Sequence, residues 1–121
     1  MATTQTEVKK ELVMKLFYIT CPDSEHAQKI AHQLLSEKLI ACANILPQMQ
    51  SMYWWKDKIE NSSEAILLIK TQFSENLSRD SLFQRIEALH PYEVPCIMEI
   101  QIGDVNDAYL KWIQHSLQEK S

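Results

Sequence analysis

The chain has 121 residues, of which 45% are hydrophobic, and its 16 acidic and 12 basic side chains give a net charge of -4. A chain of this length has room for one hydrophobic core, so we expect a single domain over residues 11–121, preceded by a flexible polar tail over residues 1–10. The negative balance leaves no surplus of positive charge, which argues against nucleic acid or an anionic membrane as a partner.

The distribution of apolar residues argues against a membrane-spanning segment. No run approaches the ~20 apolar residues that a helix needs to span a bilayer. The polar stretch over residues 1–11 also lacks the apolar core of a signal peptide. The sequence therefore predicts a cytoplasmic protein.

The first part of the chain predicts a strand followed by a helix. Residues 12–20 are rich in side chains that suit a pleated strand. Asp23 and Ser24 can begin a helix, and the apolar residues that follow repeat at helical spacing up to about Lys38. This helix is expected to bury one stripe of its surface.

Two long strands joined by a turn are expected next. Residues 39–55 form the second predicted strand, with a bend at Pro47 because proline has no amide hydrogen to donate. Residues 56–58 fit a tight turn in which Asp57 tolerates a left-handed backbone. The third predicted strand covers residues 59–70.

The rest of the chain predicts a helix, a strand and a final helix. Residues 74–90 carry apolar side chains in helical order, and residues 96–102 form a fourth apolar strand. Asn106 can cap the last helix. The order β-α-β-β-α-β-α is typical of the α+β, ferredoxin-like split βαβ fold with an added C-terminal helix.

In that topology the first and third strands are central, and both of them are apolar at nearly every position. Both faces of these strands should then be buried. The two crossing helices cover only one face, so we expect the chain to associate with copies of itself through the other. The alternative is that the C-terminal helix folds across that second face.

The connector before the fourth strand is the strongest candidate for a functional site. Residues 89–95 place an imidazole, a phenol and a carboxylate close together, at His90, Tyr92 and Glu93, between two prolines that stiffen the backbone. His90 and Glu93 could serve acid-base chemistry, but no nucleophile lies beside them in sequence. A hydrolase or isomerase is therefore a rival hypothesis only.

The cysteines and the hairpin aromatics have structural interpretations. Cys21, Cys42 and Cys96 are far apart and odd in number, so we expect buried reduced thiols and not a disulfide framework or a structural zinc site. Tyr53, Trp54 and Trp55 stand at the predicted hairpin. They favour an interface over a nucleic-acid platform, because the third strand beside them is aliphatic.

Several motifs resemble the CutA family of small divalent-cation tolerance proteins, and they occur in order over residues 12–117. The matching residues are Thr20, Pro22 and Asp23, then Glu37 to Asn44, then Tyr53, Trp55, Lys58, Glu60, Glu64, Lys70 and Thr71, then His90, Pro91, Tyr92 and Pro95, and finally Tyr109, Leu110 and Trp112. The resemblance implies a homotrimer related in architecture to the PII signalling proteins, in which the sheets face the three-fold axis and the hairpin reaches a neighbour.

The resemblance also implies a role in copper tolerance and binding of Cu²⁺. The family's proposed metal ligands, a cysteine and two successive histidines, correspond here to Ile19, Leu89 and His90. Of these only His90 can donate to a metal, and Cys21, two positions after Ile19, is the predicted substitute for the cysteine.

We therefore predict a non-enzymatic CutA-like trimer that binds a metal ion, with copper as the candidate, or a small ligand in a cleft between subunits. The predicted cleft residues are Glu64, Lys70, His90 and Tyr92. The alternative is a PII-like signalling trimer that binds a small anion through Lys70 and presents its hairpin to a partner protein.

Overall fold

The computed structural model describes residues 13–118, so the tail predicted over residues 1–10 lies outside the described residues. The described chain forms four strands and three helices. They are β1 (Lys15–Cys21), α1 (Ser24–Ser36), β2 (Cys42–Trp55), β3 (Lys58–Thr71), α2 (Arg79–Leu89), β4 (Ile97–Ile100) and α3 (Asp107–Leu117). None of these three helices is long and apolar enough to cross a lipid bilayer.

The four strands form a single sheet in the order β2-β3-β1-β4, and every neighbouring pair is antiparallel. The central strands are β1 and β3, and each helix crossing joins strands that are not neighbours. This is the ferredoxin-like arrangement, so the predicted fold is confirmed. Helix α3 follows as the added C-terminal helix.

The hydrophobic core lies between one face of the sheet and helices α1 and α2. Side chains alternate along a strand, and the odd-numbered residues from Phe17 to Cys21 in β1 and from Ala65 to Thr71 in β3 point into this core. Phe17 of β1 meets Phe83 of α2 edge to face, with ring centroids 5.6 Å apart. The other buried members of this core include Ile19, Cys21, Ile30, Leu34, Leu67, Ile69, Leu82 and Ile86.

The opposite face of the sheet, called here the open sheet face, is also apolar but incompletely covered. Strand register gives its members as Leu16 and Tyr18 of β1, Ile66 and Leu68 of β3, Leu46 of β2, and Met98 and Ile100 of β4. Helix α3 lies near the Lys70 end of β3, where Tyr109 contacts Lys70. Leu46 and Met98 nevertheless remain 45% and 47% exposed. The C-terminal helix therefore covers this face at one end only.

The hairpin between β2 and β3 extends well beyond the central strands. Its register shifts between Leu46 and Met49, so the bend predicted at Pro47 takes the form of a bulge within one continuous strand. At the tip, Lys56 and Asp57 both have left-handed backbones, with φ of 51° and 66°. Two successive left-handed residues are typical of the type I′ turn, whose twist matches that of the strands.

Two predicted boundaries were wrong, and local hydrogen bonds that compete with the helix account for the first. The helix predicted from Ser74 begins at Arg79, since Ser74 pairs with Leu77 in an isolated bridge and Ser78 caps the helix by accepting from the Ser81 amide at 3.1 Å. Asn106 occupies the N-cap of α3 without a side-chain capping bond. The fourth strand is shorter than predicted, at Ile97–Ile100.

The cysteines differ in exposure, although all three are free thiols. Cys21 is fully buried in the core, whereas Cys42 is half-buried on the edge strand β2 and Cys96 is exposed ahead of β4. The prediction of three buried thiols was therefore wrong for Cys96, which precedes β4, and for Cys42, which pairs with Lys70 on the incompletely covered open sheet face.

Helix α1 has a defined cap at each end. The Asp23 carboxylate accepts a hydrogen bond from the His26 amide at 2.8 Å. At the other end Lys38 has a left-handed backbone, with φ of 62°, and the amides of Lys38 and Leu39 donate back to the carbonyls of Leu35 and Leu34. This pair of bonds is a Schellman motif, in which glycine is the usual residue at the position of Lys38.

An ion pair joins the end of α1 to α2. Arg85 Nε donates to Oε1 of Glu37 at 2.9 Å, and a second guanidinium nitrogen donates to Oε2 at 2.5 Å. The hydrogen bonds from Arg85 and then from Gln33 lower the pKa of Glu37 from 4.5 to about 2. The pair therefore stabilises the fold when the carboxyl group is ionised.

We expect Glu37→Gln to destabilise the protein by about 0.5 kcal/mol at neutral pH, the scale of a partly exposed ion pair. The folded pKa lies below the unfolded one, so this stabilisation is complete above about pH 4.5 and is lost as the pH falls toward about 2. Denaturant unfolding at fixed protein concentration across this pH range measures the difference. The exposed Glu87→Gln on α2 is the control, and a difference that does not change with pH would contradict the assignment.

Candidate functional site

The connector after α2 places His90 at the end of the helix with both ring nitrogens bonded. His90 is the C-cap residue with an extended backbone, and it is only 8% exposed. Nε2 lies 2.7 Å from the carbonyl oxygen of Thr20, and Nδ1 accepts the backbone N–H of Tyr92 at 3.1 Å. Because a carbonyl oxygen can only accept, the proton is on Nε2 and the imidazole is the neutral tautomer.

Burial favours the neutral form of the same ring. Desolvation lowers the pKa of His90, and this outweighs the opposing effect of the Thr20 carbonyl. The ring of Tyr92 packs against the imidazole with centroids 4.9 Å apart. His90 is therefore an uncharged, oriented group at neutral pH.

Tyr92 connects His90 to a buried carboxylate. The Tyr92 hydroxyl donates to Oε2 of Glu64 at 2.6 Å, and Glu64 is 8% exposed. Burial, followed by the hydrogen bond to Glu64, raises the pKa of Tyr92, so the phenol stays protonated and acts as the donor. Thr20, Glu64, His90 and Tyr92 are called the His90 cluster below.

The bulge in β2 lies directly beside this cluster. Glu64 of β3 pairs with Met49, the first residue after the register shift that includes Pro47. Glu64 is on the open sheet face, since it is an even-numbered position of β3. The irregular backbone and the polar cluster thus lie at the same place along the hairpin.

Cys21 is close to the cluster but is held as a neutral thiol. Its side chain is fully buried and belongs to the core beneath the sheet. Burial, then the negative charges of Glu64 and Asp23, raise its pKa to about 11. Within residues 13–118 no group of three or more His, Cys, Asp or Glu side chains is arranged to hold a metal ion. The assignment of His90 and Cys21 as metal ligands stays a prediction.

Lys70 is separated from the other predicted cleft residues within one chain. It is six positions along β3 from Glu64, a distance of about 20 Å along an extended strand. Its ammonium donates to the Tyr109 hydroxyl at 3.3 Å and lies 5.2 Å from the centre of that ring. One chain therefore brings together Glu64, His90 and Tyr92, but not Lys70.

The sequence did not identify two groups of this region as parts of the site. The Thr20 carbonyl fixes the His90 tautomer, but a backbone oxygen carries no residue-type signal. Tyr109 holds Lys70 from the last helix, and only its place in the family motif drew attention to it. Both contacts join residues far apart in sequence.

The predicted interface aromatics are exposed at the hairpin. Trp54 is 72% exposed, and Tyr53 and Trp55 are 43% and 48% exposed on the opposite face of the ribbon. Trp54 is directly opposite Ile59, which is itself 62% exposed. Large apolar side chains clustered in this way mark an interaction surface. Their role in a trimer interface stays a prediction.

Known proteins resemble this chain along nearly all of its described length. The model of the family described as CutA1 divalent ion tolerance protein matches residues 15–116. The "Divalent-cation tolerance protein CutA" of Pyrococcus horikoshii is 47% identical over 100 residues, which is 83% of this chain and 94% of that protein. "Protein CutA 1, chloroplastic" of rice is 38% identical over 98% of this chain, which spans 63% of the rice protein.

Solved structures agree with the fold. The crystal structure of CutA1 from Ehrlichia chaffeensis matches with a TM-score of 0.80 and 36% identity, covering 88% of this chain and 96% of that one. The structure of the "Periplasmic divalent cation tolerance protein CutA" of Archaeoglobus fulgidus matches with a TM-score of 0.79 and 36% identity, covering 88% and 100%.

The compartments stated in the names of these relatives contradict the predicted one. The rice and Arabidopsis relatives are described as chloroplastic, and the Archaeoglobus protein as periplasmic. The prediction of a cytoplasmic protein was wrong, because composition and hydropathy do not determine the compartment among proteins of this fold.

The family model matches residues 15–116, the Pyrococcus protein is 47% identical, and the Ehrlichia structure has a TM-score of 0.80. All three lead to the same assignment. The chain belongs to the CutA1 family of divalent ion tolerance proteins.

Proposed function

We propose that this protein acts in divalent-cation tolerance as a homotrimer that binds Cu²⁺ at a site between subunits, and that it is not an enzyme. The family membership supports the tolerance function. The trimer, the metal and the position of the site rest on the open sheet face and the His90 cluster.

The open sheet face supports self-association. Leu46, Met98 and Ile100 are between 37% and 47% exposed on the same face as the half-buried Ile66 and Leu68. A contiguous apolar surface of this kind is unfavourable in water and favours a partner with the same surface. Tyr53 and Trp55 pair with Glu60 and Lys58 on the same face of the hairpin and extend that surface toward a neighbouring subunit, whereas Trp54 is on the other face.

The copper proposal rests on one observation, the buried Glu64 carboxylate joined to neutral His90 through Tyr92. Cu²⁺ favours nitrogen and oxygen donors, and an imidazole and a carboxylate provide one of each. Glu64 is on the open sheet face, where a second subunit would pack. One chain brings together too few donors for a complete coordination sphere, which favours a site completed by a neighbouring subunit.

The hydrogen bonds of the His90 cluster limit its affinity for Cu²⁺. A metal at Nδ1 of His90 must displace the Tyr92 amide, which costs a hydrogen bond of about 1 kcal/mol. Cys21, the other predicted ligand, must lose a proton whose pKa is about 11. Ile19 and Leu89 provide no donor atom. We therefore propose weaker copper binding than in relatives that keep all three family ligands.

The same contacts argue against the hydrolase or isomerase hypothesis. The His90 nitrogens are bonded to Thr20 and Tyr92, so neither is directed at Glu93. Glu93 is exposed. A general base needs a free nitrogen within hydrogen-bonding distance of the substrate.

The trimer should have a mass of about 42 kDa, three times that of the 14.1 kDa chain, in sedimentation equilibrium. Trp55→Ala should weaken association by roughly 2 kcal/mol, the scale of an aromatic hot spot. Trp112→Ala, which truncates a tryptophan of similar exposure on α3, is the matched control. A folded monomer at micromolar concentration would disprove the trimer and the site between subunits.

Calorimetric titration of Cu²⁺ at pH 7 tests the metal site. We expect His90→Ala to remove one site per subunit and Glu64→Gln to weaken that site by about tenfold, since each change removes a donor. Cys21→Ala tests the remaining predicted ligand. His32→Ala, which removes an exposed histidine of α1, is the control for adventitious binding to imidazole. Tight binding that is indifferent to His90 and Glu64 would exclude this site.

Lys70 supports a second candidate function, the binding of a small anion in a PII-like signalling trimer. Its ammonium is bonded to an uncharged phenol, and within residues 13–118 it takes part in no ion pair. A half-buried cation without a carboxylate partner attracts anions. If the trimer forms, Lys70 and Glu64 both lie on the face between subunits.

Under this second function, phosphate should raise the unfolding temperature more than chloride does at equal ionic strength. Lys70→Met should abolish that difference, because it removes the charge but keeps an apolar side chain of similar length. The exposed Lys111→Met on α3 should leave it unchanged. Equal stabilisation of both lysine variants by phosphate would show a nonspecific salt effect.

A further inference from the structure

Met49 places a thioether sulfur on the open sheet face, beside the His90 cluster. It pairs with Glu64 of β3, and opposite residues of an antiparallel pair have Cβ atoms about 4.5–5.5 Å apart on the same face. Across the bulge the register advances by three positions in β2, from Leu46 to Met49, but by only two in β3. The bulge therefore moves the odd-numbered residues of β2 to this face, and with them the sulfur.

A contact with the central strand β1 shows where the sulfur lies. The Tyr18 hydroxyl is 3.6 Å from Sδ of Met49. Tyr18 pairs with Leu68 of β3 and is on the open sheet face. The sulfur is therefore directed over the sheet toward β1 and not outward from the edge strand. The contact itself is weak, because a thioether sulfur is a poor hydrogen-bond acceptor.

Packing does not account for Met49. A methionine commonly fills an irregular gap in a hydrophobic core. Among residues 13–118, however, neither the buried core nor the partly buried apolar residues that pack against it include Met49, which is half-buried. Its strand partner is a carboxylate and its contact is a phenol. The sulfur thus lies among polar groups, where its ability to bind a soft metal ion distinguishes it from an aliphatic side chain.

The donors near this point differ in their preference for metal ions. Thioether sulfur is a soft ligand that selects Cu⁺, whereas carboxylate oxygen favours harder divalent ions. A thioether also has no proton to lose, whereas the buried Cys21 thiol has a pKa of about 11. A metal ion at Met49 displaces only the weak contact with Tyr18, whereas an ion at Nδ1 of His90 displaces the Tyr92 amide. Binding at the sulfur therefore costs less than binding at the imidazole.

We propose that Met49 is a copper ligand and that it gives this site affinity for Cu⁺. Sδ of Met49 and the Glu64 carboxylate bind the ion on the open sheet face, where a second subunit packs in the proposed trimer and completes the coordination. This inference rests on the proposed copper function and extends it, because the His90 imidazole and the Glu64 carboxylate alone favour Cu²⁺. With the sulfur, the protein binds copper in both oxidation states.

Carbon-13 NMR of the methionine methyl groups in the full-length protein tests this assignment directly. The chain has five methionines, whose signals are assigned by replacing each in turn with leucine. Ag⁺, a redox-inert analogue of Cu⁺, is added to a protein in which Cys42→Ser and Cys96→Ser remove the two accessible thiols. We expect the Met49 signal to shift along a saturable curve, and the signal of Met52, which is 70% exposed, to stay unshifted. No shift at Met49, or equal shifts at both residues, would overturn the proposal.

Matched variants test the selectivity. Met49→Leu keeps the volume but removes the sulfur. It should weaken Cu⁺ binding about tenfold in competition with bathocuproine disulfonate, and change Cu²⁺ binding by less than about threefold. Met52→Leu makes the same change on the other face of the hairpin and should alter neither affinity. An equal loss of affinity for both ions, or no loss for either, would contradict the role of Met49.

The two copper proposals fail in different ways. If His90 is not a ligand, His90→Ala leaves the Cu²⁺ titration unchanged, but the Met49 methyl signal still shifts with Ag⁺. If Met49 is not a ligand, its signal stays unshifted while His90→Ala still removes Cu²⁺ binding.

Discussion

The two central strands of the sheet are apolar on both faces, and the rest of the structure depends on this constraint. Helices α1 and α2 satisfy it on one face, where Phe17, Leu67 and their neighbours form the core. The other face keeps Leu46 and Met98 nearly half exposed, although α3 covers the end near Lys70. Among residues 13–118 no further helix or strand covers this face.

The long hairpin and its bulge give this face its polar features. Pro47 cannot donate to the strand ladder, so the register shifts there and the pairing resumes at Met49, opposite Glu64. Beyond the bulge the ribbon leaves the core and carries Trp54, Trp55 and Ile59 into solvent. The buried Glu64 carboxylate therefore lies at the bulge, between the central strands and the exposed aromatic residues of the hairpin tip.

The His90 cluster is a hydrogen-bond network in which both ring nitrogens of His90 already have partners. Thr20 accepts from one ring nitrogen, the Tyr92 amide donates to the other, and the Tyr92 phenol donates to Glu64. Burial maintains the protonation states, since it disfavours the imidazolium and the phenolate alike. Such a network orients the donor atoms, but a metal ion that binds at either ring nitrogen of His90 must replace a hydrogen bond already formed.

The sequence by itself determined the order of elements, the apolar character of both faces of β1 and β3, the turn at Asp57 and the family motifs, because these depend on local pattern and residue type. It could not determine where α2 begins, since Ser78 caps the helix in competition with the pattern that starts at Ser74. It also did not indicate which polar side chains come into contact in the folded protein. Only the tertiary structure joined Tyr92 to Glu64, separated Lys70 from both, and left the buried Gln72 Nε2 without a hydrogen-bond partner among residues 13–118. These are contacts between residues distant along the chain, and they arise from the packing of the helices and the hairpin on the sheet.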